Sequence, residues 1–226
     1  TWFEVDGLKL HGWWIPAAAP AGESSAPTIL YCHGNSGSIA VRVEVLRFLR
    51  DLPANLLAFD YRGYGRSEGK PSEAGLFRDA RAAYRHLCDD LRVAPERILL
   101  LGHSLGGAVA IDAALELSIA GLIVESTFTD VRDMARNRYP RLPMHLIARN
   151  QFLNSEKVAR LEVPKLFIHG TADQTVPFEM GRQLFARAGD PKTFLPIEGA
   201  DHNDLHLTGE TYLSGLRSFI GGCLEG

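Results

Sequence analysis

Apolar and polar positions alternate from the first residues. Trp2-Phe3-Glu4-Val5 is followed by the turn pair Asp6-Gly7 and by Leu8-Lys9-Leu10-His11-Gly12-Trp13-Trp14-Ile15, a pattern that predicts an antiparallel hairpin. After a loop rich in Pro, Ala, Gly and Ser from Pro16 to Pro27, the pattern changes. Thr28–Cys32 is a short, continuously apolar run of the kind found in strands covered on both faces. Similar runs stand at Asn55–Phe59, Arg97–Leu101, Ala120–Val124, Lys165–Ile168 and Lys192–Ile197. Helical periodicity between and after them predicts helices over Val41–Leu52, Ser72–Leu91, Ser104–Leu117, Phe178–Arg187 and Gly209–Ile220. In the second of these, Leu76, Ala80, Ala83, Tyr84 and Leu87 fall on one face. Strands and helices in alternation, joined by short loops, imply the α/β class: a doubly wound, mostly parallel sheet with its reactive loops at the carboxyl ends of the strands. We therefore expect one α/β domain over 1–226 with an antiparallel amino-terminal hairpin.

The stretch Asp130–Val163 departs from this rhythm. Arg132, Arg136, Arg138, Arg141 and Arg149 are interspersed with Met134, Tyr139, Leu142, Met144 and Phe152, as in an inserted cap. It reads either as a surface helix pair with solvated arginines or as a substrate-covering lid, since loops of this length are often functional.

Composition narrows the function classes. With 46% hydrophobic and 23% charged residues, 22 Gly and 12 Pro among 226, the chain is neither disordered nor collagen-like. A formal net charge of −3, with its cations scattered among acids, gives no field for a polyanion, so nucleic acid is not expected as a partner. The 3 cysteines, Cys32, Cys88 and Cys223, are odd in number and far apart, which suits thiols in a reducing compartment better than a disulfide framework. The longest uncharged stretches, Pro27–Val41 and Ile98–Ile111, fall short of the roughly 18 to 20 apolar residues of a membrane span. The chain opens on Thr1 rather than Met, which points to an upstream segment of a targeting or anchoring kind.

Chemistry concentrates after the run Ile98–Leu101, where Gly102-His103-Ser104-Leu105-Gly106-Gly107 leads into the apolar Ala108-Val109-Ala110-Ile111. This is GxSxG between a strand and a helix. A serine hydroxyl is a poor nucleophile and needs exposure both to a base and to an acyl carbon; a strained strand-to-helix turn supplies it, with the glycines relieving the crowding. The same turn aims backbone N–H groups toward developing negative charge, Leu105 being the expected donor.

With these residues the chain resembles the α/β-hydrolase superfamily over nearly its whole length, within it the Bem46-like hydrolases and relatives of protein depalmitoylases. His33-Gly34-Asn35 is similar to the family's HG loop, which implies a second oxyanion-hole N–H at Asn35. Asp60-Tyr61-Arg62-Gly63-Tyr64-Gly65-Arg66-Ser67 resembles a structural loop of these hydrolases; it lacks the spacing and lysine of a phosphate-binding loop. His169-Gly170-Thr171-Ala172-Asp173-Gln174-Thr175-Val176-Pro177 is similar to the stretch that carries the family's acid, which implies Asp173. Gly199-Ala200-Asp201-His202 resembles the loop that carries the base, which implies His202. The resemblance thus implies the α/β-hydrolase fold and a Ser104, His202, Asp173 triad acting on a small acyl ester or thioester, with no cofactor. Many relatives also carry an amino-terminal membrane anchor.

Other assignments compete. Glu125 follows a strand end and is an alternative acid, although Asp173 matches better. His202 and His206 stand at the four-residue step of a zinc site, but no glutamate follows the first and no third ligand is evident. His33, His103 and His169 flank strand ends as hydrogen-bonded scaffold residues, while His11, His86 and His145 read as ordinary surface positions. Amide or peptide cleavage by the same triad is the rival chemistry, and a non-catalytic ligand-binding protein on the same scaffold is the rival class.

Overall fold

The computed structural model describes residues 1–17, 26–138 and 151–225. Eight strands form one sheet: β1 Trp2–Val5, β2 Leu8–Ile15, β3 Thr28–Cys32, β4 Asn55–Phe59, β5 Ile98–His103, β6 Gly121–Glu125, β7 Lys165–Gly170 and β8 Lys192–Ile197. Their order across the sheet is β1-β2-β4-β3-β5-β6-β7-β8. The first two pairings, β1 with β2 and β2 with β4, are antiparallel and every other one is parallel. The expected hairpin and doubly wound sheet are both present.

Period-two alternation explains the two layers. Leu30, Leu100, Leu122 and Val124 pack on one face of the sheet, and Ile29, Tyr31, Leu99, Leu101 and Ile123 on the other. The first face is covered by helices α2 (Glu73–Arg85), α3 (Leu105–Ala114) and α6 (Phe178–Arg187), the second by α1 (Val43–Leu49) and α7 (Glu210–Leu224). Strand β3 connects through α1 to β4 on one side, while β5 lies on its other side. The winding therefore reverses between β3 and β5, and a crevice opens beyond their carboxyl ends, where ligands bind in open α/β sheets.

Helix ends depart from the expectation where tertiary packing intervenes. The residues Ile39–Arg42 form a 3₁₀ turn before α1. Helix α2, capped by Ser72 Oγ accepting from Gly75 N at 3.2 Å, gives way at His86–Asp90 to a π turn closed by Leu91 N donating to His86 O. Helix α7 runs through Gly221 and Gly222 to Leu224 because Cys223 and Leu224 still find apolar partners against the sheet.

The stretch Asp130–Val163 is described in part, with α4 (Val131–Arg138) and α5 (Asn154–Val158). Arg132, Arg136 and Arg138 are exposed, whereas Tyr139, Arg141, Leu142, Met144 and Arg149 lie outside the described residues. The returning strand of chain is tied down by Glu73, whose carboxylate accepts from Gln151 N at 2.8 Å and Phe152 N at 2.9 Å.

Two of the three histidines expected at the surface are buried. His86 donates and accepts between Asp90 Oδ2 at 2.7 Å and Thr1 Oγ1 at 2.8 Å, with its ring stacked on Phe3. His11 is covered by the loop that follows β4, with Nδ1 3.8 Å from Asp60. Both rings are enclosed by segments remote in sequence, which local pattern does not register. His145 lies outside the described residues.

Candidate active site

Ser104 sits between β5 and α3 with φ 56° and ψ −117°, a backbone region that costs a non-glycine residue about 1–3 kcal/mol and is kept only where its surroundings enforce it. The enforcement is visible. Ser104 N donates to Glu125 O at 2.8 Å, Gly107 N donates to Ser104 O at 3.0 Å, and Thr127 Oγ1 donates to the same carbonyl at 3.1 Å. The flanking glycines are needed for close approach: a Cβ on Gly106 would lie 1.9 Å from Cys32 O, and one on Gly102 2.3 Å from Gly106 O. Gly106→Ala must push helix α3 off strand β3. Overpacking of a rigid backbone contact costs about 3 kcal/mol or more, so the thermal midpoint of this variant should fall by about 6–12 °C; an unchanged midpoint in a calorimetric scan would contradict the packing.

Asp173 and His202, distant in sequence, meet at the carboxyl ends of β7 and β8. Asp173 Oδ2 accepts from His202 Nδ1 at 2.8 Å, and its Oδ1 accepts from Thr175 N at 2.9 Å and Val176 N at 2.8 Å. Burial alone would raise the Asp173 pKa, but hydrogen bonds from His169 and His202 outweigh it and hold the carboxyl well below its usual range. Because a carboxylate only accepts, the neutral His202 ring carries its proton on Nδ1 and leaves a lone pair on Nε2. The loop around His202 is braced by Asp201, which accepts from Gln174 N at 2.8 Å and His202 N at 2.7 Å.

Ser104 and His202 line one cavity of about 820 Å³, although their side chains do not form a hydrogen bond in this structure. Such contacts are often loose without substrate. Asn35 and Leu105 line the same cavity. Leu105 opens α3, so its N–H has no intrahelical acceptor. The Asn35 loop is held by Tyr64 O–H donating to Asn35 Oδ1 at 2.7 Å. Phe128, Val131, Met134, Phe152 and Val176 make the cavity apolar on the side of β6 and β7, while Arg42 enters it from the side of β3. Of these, Met134 and Phe152 were legible only as apolar positions in a cap. Nothing in the sequence marks Arg42 beyond its being the first charged residue after the uncharged stretch Pro27–Val41.

The strand-end histidines are hydrogen-bonded, as expected. His33 Nδ1 donates to Gly34 O at 2.7 Å and His169 Nε2 to Val176 O at 3.0 Å. His103 Nε2 donates to His202 O at 2.8 Å, which ties the residue before Ser104 to the His202 backbone. Burial, then the nearby His202, depresses the His103 pKa to about 3, keeping that ring neutral. His206 packs edge-on to Phe48. Among the described residues no group of three or more His, Cys, Asp or Glu side chains is arranged to hold a metal ion. No helix there is long and apolar enough to cross a membrane.

Glu125, the alternative acid, forms no hydrogen bond or ion pair with His202. It accepts a hydrogen bond from Tyr212 O–H, and burial pushes its pKa up to about 7. Since the folded-state value lies above the ordinary carboxylate value, the native state holds this proton the more tightly. Its contribution to stability is whole at acid pH and lost as pH rises through about 7. Glu125→Gln keeps the acceptor for Tyr212 and removes the charge. The variant should equal the parent near pH 4.5 and exceed it by up to about 3 kcal/mol at pH 8; parallel urea titrations at both pH values test this, and an equal gap at each would refute it.

A model described as the alpha/beta hydrolase family matches residues 29–155. An uncharacterized protein of Mycobacterium tuberculosis is 38% identical over 216 residues, which cover 95% of this chain and 76% of that one. The alpha/beta hydrolase domain-containing protein WAV2 of Arabidopsis thaliana is 35% identical, covering 90% of this chain and 71% of its own length. Among solved structures, the Pyrococcus furiosus esterase Pf2001 superposes with a TM-score of 0.78 at 24% identity, over 98% of this chain and 91% of the esterase. At that identity the likeness is one of fold. Sequence similarity along nearly the whole chain, joined to the same sheet architecture, makes this protein a member of the alpha/beta hydrolase family.

Proposed function

We propose that the protein is a serine hydrolase of carboxylic esters or thioesters. Ser104 Oγ attacks the carbonyl carbon while His202 Nε2 takes its proton, and Asp173 holds the imidazole in the required tautomer and stabilises the imidazolium. The negative charge that develops on the carbonyl oxygen is received by the Asn35 and Leu105 N–H groups. His202 then returns the proton to the departing alcohol or thiol as the carbon–oxygen or carbon–sulfur bond breaks, leaving an acyl-serine. A water molecule, deprotonated by His202, reverses the sequence and frees the acid and Ser104. No cofactor enters these steps, and α4, with Phe152, covers the apolar portion of the substrate.

The observation that carries the reading is the 2.8 Å contact between His202 and Asp173 opening onto the cavity where Ser104 is held at φ 56°. Family membership supports hydrolysis, and the name of the Pyrococcus structure supports an ester. A fluorophosphonate probe tests it directly: one covalent adduct is expected, mapped by peptide mass spectrometry to Ser104. Folded protein that stays unlabelled and turns over neither esters nor thioesters would overturn the reading.

A further inference from the structure

Arg42 presents an unspent cation to this cavity. A guanidinium carries five N–H donors, yet Arg42 makes one hydrogen bond, from Nη2 to Ser36 O at 2.9 Å, and its Nε is buried without a partner. Among the described residues no carboxylate lies within ion-pair distance of it. Arg42 lies close to Ser104 across Gly34: a Cβ there would lie 3.4 Å from Ser104 Cβ and 3.5 Å from Arg42 Nη2. The cation and the hydroxyl therefore converge on the edge of one glycine.

Sheet order places the rest. Ser104 follows β5, Arg42 follows β3 on one side of it, and the apolar wall of Phe128, Met134 and Phe152 follows β6 on the other. A molecule whose carbonyl sits at Ser104 would extend an apolar portion one way and meet an unpaired guanidinium the other way.

We infer that the substrates are anionic esters or thioesters, with a carboxylate or similar group received by Arg42 across the scissile carbonyl from the apolar portion. This rests on the hydrolase reading of Ser104. A planar guanidinium matches a carboxylate with paired hydrogen bonds, and a partly enclosed pairing of this kind is worth about ten-fold or more in binding. The anion belongs either to the acyl part or to the leaving group, and two substrate pairs separate these sources. Monomethyl adipate against dimethyl adipate places the charge on the acyl side; 4-(butanoyloxy)benzoate against its methyl ester places it on the leaving group.

The expected result is that, in one pair, the ratio of kcat/KM for the anionic over the neutral ester falls about ten-fold or more in Arg42→Met, with Arg42→Lys between the two. The wild-type ratio should also shrink with added salt. Equal loss on anionic and neutral esters would mean that Arg42 serves the reacting carbonyl in general, and an unchanged ratio in both pairs would mean that it reads no charge; either overturns the inference while leaving the hydrolase reading intact. A second readout needs no turnover: calorimetric binding to Ser104→Ala should favour the anionic over the neutral ester in one of the two pairs, and that preference should be lost in the double variant with Arg42→Met. A preference that survives there, or that is absent from both pairs in Ser104→Ala itself, overturns the inference whether or not the protein proves to be a hydrolase.

Discussion

Ser104→Ala should lower kcat on 4-nitrophenyl butyrate by about 10⁴- to 10⁶-fold, down to the residual rate that binding and oxyanion stabilisation supply by themselves. The fold should hardly notice. Alanine keeps the Cβ, so the contacts that enforce φ 56° persist: Ser104 N to Glu125 O and Thr127 Oγ1 to the carbonyl of residue 104 use only backbone atoms of residue 104. The thermal midpoint should therefore stay with the parent while turnover and fluorophosphonate labelling disappear together. A folded alanine variant that retains a tenth of the parent rate, beyond trace contamination, would remove the nucleophile from Ser104.

Asp173→Asn should cost about 10⁴-fold in kcat, and for a different reason. The amide oxygen can take over the acceptor role of Oδ1 toward Thr175 N and Val176 N, which leaves the amide nitrogen facing His202 Nδ1. A donor now meets the position where the carboxylate accepted, so the imidazole proton moves to Nε2 and the ring can no longer take a proton from Ser104. Nitrogen NMR of labelled histidine should show this tautomer exchange at His202, with binding of a neutral ester to the doubly substituted Ser104→Ala, Asp173→Asn protein little changed. If the tautomer exchanges and kcat holds, Asp173 is scaffold and not part of the reaction.

Strands were the most legible elements. Trp2–Val5, Leu8–Ile15, Thr28–Cys32, Asn55–Phe59 and Lys192–Ile197 have the bounds that their apolar patterns and flanking turn residues imply. The GxSxG turn was legible for the same reason, since two glycines around a serine between an apolar strand and an apolar helix admit few other geometries. Helix ends were less so. Gly221 and Gly222 look like a stop in isolation, but burial of Cys223 and Leu224 outweighs the local propensity of two glycines. His11 and His86 looked exposed because neither neighbour pattern nor residue type reports a lid of chain arriving from elsewhere, such as Phe3 on His86.

The order of strands and helices, the class of the sheet, and the loops in which Ser104, Asp173 and His202 stand are properties of short segments, written in periodicity and turn residues within a dozen positions of each other. Which strands become neighbours is not. The reversal of winding between β3 and β5, the meeting of His202 with Asp173 across the ends of β7 and β8, and the placing of Arg42 opposite an apolar wall depend on pairings between remote segments. Those pairings follow from burying both faces of one sheet at once, a condition on the whole chain that no local window contains.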